Sequence, residues 1–293
     1  MSGGPDRTSL AILAAAATGI QVGAAITASR FAIDMVGPAS LAFLRYAIGA
    51  ACLAPVFFSP RMRFARADIL PIALLGIGQF GLLIALLNYG LKSVPSARAA
   101  LIFASFPMLT LLFAAAIGQE RLTAAKLGGV ALTMLGVGFA LGDGTAAGGS
   151  LTGELAVLAA AATGAVCSVL YRPYLRRYPT LPVSAFAMLA AVVALAIPAA
   201  FDDLTGSVAR LTPSGWAAVV FIGLSSGGGY VLWLWALANT SATRVTVFLS
   251  LSPITAAVLG WLVLSEPIST TMIAGLVCVA AGLWLATRAA KES

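Results

Sequence analysis

The chain of 293 residues holds no histidine, so no His-dependent catalytic triad, His-ligated zinc site or histidine proton relay can be built from it. Cys52, Cys167 and Cys278 lie inside apolar runs, too few and too scattered for a disulfide framework, and read as small core residues. Chemistry is left to a few polar and aromatic groups embedded in apolar sequence. Gly76-Ile77-Gly78-Gln79-Phe80-Gly81 sets a side-chain amide among glycines. Gly223-Leu224-Ser225-Ser226-Gly227-Gly228-Gly229-Tyr230, with Trp233 beyond it, sets hydroxyls and rings in a similar run. Groups of this kind bind and do not react. Amides and hydroxyls hold a polar ligand, while Phe80, Tyr89, Phe103, Phe106, Tyr230 and Trp233 offer walls on which a hydrophobic or aromatic side chain can stack.

The elements that must position them are membrane spans. Sixty per cent of the residues are apolar and 9% charged, with a mean hydropathy of +1.01, against about 45–50% and about 25% in a soluble domain. The net charge of +7 comes from 17 Lys and Arg spread thinly between apolar runs, which is the pattern of topology determinants and not of a phosphate-binding patch, so no nucleic-acid partner is expected. A spanning helix needs about 20 apolar residues. Ten such runs occur, at 9–29, 38–58, 69–90, 96–117, 124–142, 152–171, 182–201, 214–237, 242–264 and 270–288, with Asp202 to Pro213 the longest connection. The first run lacks a small-residue cleavage site and reads as a retained helix. With the N-terminus inside, Arg7, Arg61, Arg63, Arg66, Arg121, Lys126, Arg172, Arg176, Arg177, Arg244, Arg288 and Lys291 are cytoplasmic, against Arg30, Lys92, Arg98 and Arg210 outside. The expectation is an all-α integral membrane protein with ten transmembrane helices and both termini cytoplasmic, in a bacterial inner membrane.

The spans form a repeat. Leu13 to Gly19 recurs as Leu158 to Gly164 at an offset of 145 residues. At an offset of 146, Arg98 pairs with Arg244, Pro107 with Pro253, Glu120 with Glu266, Gly129 with Gly275 and Gly136 with Gly282. Charges and prolines are scarce here, so chance would seldom align them. Five spans per copy is an odd number, and the second copy therefore enters the membrane in the opposite sense. The reading is two inverted five-helix repeats, 9–142 and 152–288, an arrangement that lets a carrier exchange the roles of its halves around a central site.

Gly118-Gln119-Glu120-Arg121-Leu122-Thr123 with Gly128, Gly129 and Gly136, echoed by Leu264-Ser265-Glu266-Pro267-Ile268-Ser269 with Gly275 and Gly282, resembles the tandem EamA domains of the drug/metabolite transporter superfamily. Ser105-Phe106-Pro107 and Leu251-Ser252-Pro253 also match. The chain is most similar to the bacterial exporters of aromatic amino acids, on Tyr230, Trp233 and the ending Trp284 to Arg288. The resemblance covers nearly the whole chain and implies an exporter of small metabolites that needs no cofactor.

Within this frame the candidate substrate-binding residues are Gln79, Phe80, Tyr89, Phe103, Phe106, Thr163, Ser225, Ser226, Tyr230 and Trp233. Thr163 and its counterpart Thr18 either line the site or bond their own helix carbonyls. Candidate hinge or gating residues are Pro107 and Pro253, which kink helices, with Gly78, Gly81, Gly227 and Gly228; the glycines serve either close helix packing or backbone approach to a ligand. Arg45 is the one basic residue inside a span, where it snorkels, pairs or meets substrate. Glu120 and Glu266 precede the N-cap candidates Thr123 and Ser269 and suit a helix N-terminus. No carboxylate falls at midplane, which disfavours a proton-coupled antiporter of lipophilic cations and favours uniport. Leu141-Gly142-Asp143-Gly144 resembles part of an intramembrane aspartyl protease motif, but it sits at a span end without a partner Asp, so no enzyme is expected. The function read here is export of amino acids with aromatic or hydrophobic side chains by a monomer in the bilayer, the alternative being a multidrug or other metabolite exporter.

Overall fold

A computed structural model of the chain describes residues 7–58, 63–120, 122–142 and 150–289, and the regular elements within them are all helical. Arg61, Arg121, Asp143 and Lys291 lie outside the described residues, as does the side chain of Arg288. In order, the first half contains α1 (Arg7–Ala32), α2 (Pro38–Cys52), α3 (Ala54–Phe57) and α4 (Arg66–Gly76), then a π-helical turn (Ile77–Leu82), α5 (Leu83–Leu91), α6 (Ser96–Phe103), α7 (Phe106–Ala116) and α8 (Ala124–Gly142). The second contains α9 (Leu151–Arg177), α10 (Thr180–Phe201), α11 (Leu204–Arg210), α12 (Pro213–Asn239), α13 (Ala242–Val247), a 3-10 turn (Phe248–Ser250), α14 (Leu251–Leu264) and α15 (Thr270–Ala289).

Among the described residues, seven helices are long and apolar enough to cross a membrane: Arg7–Ala32, Arg66–Leu91, Ser96–Ala116, Leu151–Arg177, Thr180–Phe201, Pro213–Asn239 and Arg244–Leu264. Shorter apolar helices stand beside them. The surface is apolar where a soluble protein's would be polar. Leu70 and Leu74 on α4, and Val193, Ile197 and Phe201 on α10, face outward in rows at four-residue spacing and are suited to lipid. Cys167 is buried and Cys278 half-buried, but Cys52 is exposed and is not a core residue.

Three elements depart from the run-by-run expectation, each for a backbone reason. The run 38–58 is not one helix: Pro55 has no N–H to donate and restricts the residue before it, so α2 stops at Cys52 and α3 restarts with the proline in its first turn. The connection from Asp202 to Pro213 is not plain loop, because Asp203 takes a left-handed conformation (φ 52°) and its carboxylate accepts the Gly206 N–H, starting α11. Pro107 and Pro253 sit in the first turns of α7 and α14, after a tight turn at Ala104–Ser105 and a change to 3-10 geometry at Phe248–Ser250, which break the α-helical hydrogen bonding of each span. A proline in a first turn forfeits no hydrogen bond.

The halves interlock. The contacts map onto themselves when the halves are exchanged: α1 packs on α12 as α9 packs on α5, α1 on α14 as α9 on α7, and α12 on α2 as α10 on α4 and the π-turn, while α2–α10 and α8–α15 are their own counterparts. In the α8–α15 pair a Cβ on Gly136 would lie 2.7 Å from the Gly275 carbonyl oxygen, one on Gly275 2.9 Å from that of Gly136, and one on Gly282 2.6 Å from that of Gly129. Small residues permit this approach where helices cannot associate by excluding water. Gly136→Ala is expected to destabilise the protein by about 1–3 kcal/mol, since the obstacle is backbone; an unchanged melting temperature in detergent would contradict the close contact.

Charged groups gather at helix ends and often bridge the halves. Asp202 accepts the Ala39 and Ser40 N–H groups at 2.8 and 3.1 Å, capping α2. Glu266 accepts the Ser96 N–H at 3.1 Å and the Ser96 hydroxyl, capping α6. Arg98 pairs with Glu154 at 2.6 Å, Lys126 with Glu120 at 3.1 Å and Arg177 with Asp68 at 2.7 Å. Thr123 and Ser269 cap α8 and α15, accepting the Lys126 and Met272 N–H groups at 3.3 and 3.1 Å.

Candidate functional site

A cavity of about 70 Å³ lies where the two halves meet. Two long helices give it walls through regular helical spacing. Thr18, Gln21, Val22 and Ala25 present one face of α1, and Ser226, Gly229, Tyr230 and Trp233 present one face of α12, both at i, i+3, i+4 and i+7. From α2 come Arg45 and Tyr46. The π-turn contributes Gln79, and α5 adds Leu83, Ile84 and Leu87. Phe103 and Phe106 flank the break between α6 and α7, and Leu249 comes from the 3-10 turn at the equivalent break in the second half. Interrupted helices at a central cavity are the arrangement in which transporters hold substrate, because chain ends expose carbonyls, N–H groups and their dipoles.

The π-turn falls on Ile77–Leu82, and π-turns recur at functional sites. It carries Gln79 inward, 5% exposed. Just before it, a side chain on Gly76 would collide with the Ala187 backbone of α10, so glycine permits α4 and α10 to touch here. The matching glycine run of the second half stays within α12, a continuous α-helix. The two glycine clusters therefore differ in backbone although they align in sequence.

An aromatic girdle surrounds the cavity. Phe80 lies behind it, fully buried, with its ring 5.0 Å from that of Tyr46 and 3.9 Å from that of Tyr230. Phe106 meets Phe103 at 5.4 Å and Trp233 edge-on at 6.0 Å. The polar groups form two sets. In one, Arg45 Nε donates to Ser226 Oγ at 2.6 Å, Ser226 Oγ donates to the Ile222 carbonyl, and Gln21 Nε2 donates to Ser225 Oγ at 3.2 Å. In the other, Gln79 Oε1 and the Tyr230 hydroxyl are buried with no hydrogen-bond partner among the described residues. Buried polar atoms are seldom left unmatched. Thr18 donates to the Ala14 carbonyl of its own helix at 2.8 Å.

Of the candidate residues, Gln79, Phe103, Phe106, Ser226, Tyr230 and Trp233 line this cavity, and Phe80 and Ser225 support its wall. Tyr89 is 52% exposed and Thr163 bonds the Ala159 carbonyl on an exposed face; neither reaches the cavity, because the rotation of α5 and α9 turns them outward. Gly78 faces Cys167, Gly81 makes ordinary contacts with Ile77 and Leu195, Gly227 packs on Gly49, and Gly228 faces open space. Gln21, Tyr46, Gly229 and Leu249 are lining residues that sequence reasoning missed; an amide in the middle of the first apolar run was the available signal for Gln21.

A second, open cavity of about 520 Å³ lies at one end of the protein, with Thr8, Glu120, Lys126, Arg172, Arg176 and Arg244 among its lining residues. It gathers, at one mouth, basic residues from the ends of several helices.

An all-helical membrane protein of tandem, interlocked halves around a cavity at broken helices has the architecture of a carrier. The chain belongs to the EamA-like transporter family, whose profile matches residues 9–142 and 151–288; it is a transporter and not an enzyme. It is similar to a probable terminal-alkyne amino-acid exporter of Streptantibioticus cattleyicolor, 32% identical over 96% of this chain and 95% of that protein. An uncharacterized transporter of Archaeoglobus fulgidus is 25% identical over 91% of this chain and 94% of its own length. A solved crystal structure with 24% sequence identity superimposes with a TM-score of 0.72, covering 94% of this chain and 98% of its own, and shares the fold.

Proposed function

We propose that the protein is a ten-span carrier of two inverted five-helix repeats, 9–142 and 152–288, with both termini in the cytoplasm of a bacterial inner membrane. It exports small metabolites, above all amino acids with aromatic or hydrophobic side chains, by alternating access and without an obligatory coupling ion. The observation that carries the reading is the pairing, in one cavity, of an aromatic girdle with unmatched polar atoms, Gln79 Oε1 and the Tyr230 hydroxyl. Such a site suits a ligand with an apolar body and polar ends. The gathering of Arg172, Arg176, Arg244 and Lys126 at one mouth supports placing that end in the cytoplasm. The lining contains no Asp or Glu, which supports ion-independent carriage over proton-coupled export of cationic drugs. The probable terminal-alkyne amino-acid exporter among its relatives supports the substrate class. Pocket volumes for whole ligands start at about 300 Å³, so in this reading the cavity of about 70 Å³ must widen as the halves move apart.

The test is purified protein in liposomes loaded with labelled phenylalanine or methionine. Saturable flux is expected with neither a proton nor a sodium gradient. Flux that appears only under an imposed ion gradient would remove the uniport mechanism, and no flux under any gradient would remove the substrate class. Gln79→Ala and Trp233→Ala are each expected to change that flux by about tenfold or more, as the loss of a central hydrogen-bonding or aromatic contact does, while leaving membrane insertion intact.

A further inference from the structure

We infer that Arg45 is the receptor for a carboxylate, so that the central cavity takes substrates with an anionic end and rejects their uncharged or cationic analogues. The inference rests on the reading of this cavity as the transport site and narrows what it carries.

Arg45 is 7% exposed and is the one charged residue among those lining the cavity. Its position argues against snorkelling. It meets Ser226, which lies thirteen residues from either end of α12 (Pro213–Asn239); at 1.5 Å per residue that is about 20 Å of helix in each direction, beyond the reach of an arginine side chain. Its position also lacks a counter-charge. The described ion pairs bind Arg30, Arg98, Lys126, Arg177 and Arg210 to carboxylates near helix ends. Arg45 has none among the described residues, and its protein contacts are the bond from Nε to Ser226 and the face of the Tyr46 ring, 5.5 Å from the guanidinium carbon.

A guanidinium always carries its proton and presents its donors as a planar fork. With Nε anchored on Ser226, the two terminal nitrogens remain for a ligand, and an oxyanion pair is the partner that their geometry matches. A full charge buried without a partner is costly, so a group that arrives with the opposite charge gains affinity here. An amine or a lipophilic cation meets repulsion instead. For an amino acid, Gln79 Oε1 and the Tyr230 oxygen are acceptors left over for the ammonium end, and the rings take the side chain.

The experiment measures ligand binding to the detergent-purified full chain by thermal shift, at constant chloride, with two matched pairs: L-phenylalanine against L-phenylalaninamide, and phenylacetate against phenylacetamide. In the wild type the carboxylate of each pair is expected to bind about 10- to 100-fold more tightly than its amide, the range for a charge-assisted hydrogen bond. Arg45→Gln is expected to erase that difference by weakening the binding of the acids, and Arg45→Lys to keep part of it. Equal binding of acid and amide by the wild type, or no binding of either acid, overturns the inference without recourse to a variant that fails to fold. So does a preference that survives in a monodisperse Arg45→Gln protein. Preference for phenylacetate with no amino-acid flux in liposomes would uphold the carboxylate receptor and remove the amino-acid reading alone.

Discussion

Gly229→Leu is expected to reduce transport to the level of protein-free liposomes, while the neighbouring Gly228→Leu leaves it unchanged. The cavity of about 70 Å³ holds about two waters at roughly 30 Å³ each, and the four carbons of a leucine side chain growing from Gly229 would occupy it. The first of those carbons would lie 2.6 Å from Gln21 Oε1, the far end of a flexible side chain that can swing aside, so the variant should still fold and insert. One residue earlier, a Cβ on Gly228 meets nothing within 4 Å; leucine there should raise helix stability by about 1 kcal/mol. Flux of labelled phenylalanine through both variants, normalised to inserted protein, checks the contrast. Equal flux through the two would mean that the face of α12 bearing Ser226, Gly229, Tyr230 and Trp233 does not form the passage.

Glu154→Gln carries a large expected cost in stability, about 2–3 kcal/mol, because it removes the charge of one member of a buried ion pair while an amide oxygen can still accept from Arg98. Arg98 and Glu154 meet at 2.6 Å with side chains 10% and 13% exposed, so solvent screens them little. The pair joins the first turn of α6 to the first turn of α9, and with the Glu266 cap on Ser96 it fixes where α6 begins. The double replacement Arg98→Met, Glu154→Leu is expected to recover much of the loss, since an apolar pair of similar volume often replaces a buried ion pair without penalty. Unfolding in mixed micelles, measured for Arg98→Met alone, Glu154→Leu alone and the double, gives the coupling. Strict additivity would show that the pair contributes nothing of its own.

Most of the helical architecture was legible because apolar runs bounded by charges and prolines leave few alternatives. Each of the ten runs is helical, and rare residues such as Glu120 and Glu266 keep the halves in register. Pro107 and Pro253 marked the right places, but a proline in a helix interior and one in a first turn look alike in sequence, and the outcome here is interruption. For the site, Gln79 stood out as an amide in apolar sequence, and Ser226, Tyr230 and Trp233 share a face by simple spacing. Tyr89 and Thr163 stand away from the cavity, which the sequence does not show because the rotation of a helix surrounded by apolar residues on all sides leaves no trace in its periodicity. The contribution of α1 was hidden for a related reason: that Gln21 reaches Ser225 depends on α1 lying against α12, a pairing of residues 204 apart in sequence. Arg45 was visible, but its role depended on what stood opposite.

The glycine contacts between α8 and α15 have a consequence for how the molecule is put together. Gly136 meets Gly275 and Gly129 meets Gly282, and exchanging the halves by the offset of 146 residues turns one contact into the other. Two surfaces that recognise each other reciprocally are what a symmetric homodimer uses to close on itself. At this helix pair the two halves therefore meet as the subunits of a symmetric dimer would. The two halves made as separate polypeptides carry on their surfaces the information needed to find each other, so co-expressed fragments should assemble where either fragment alone would not persist.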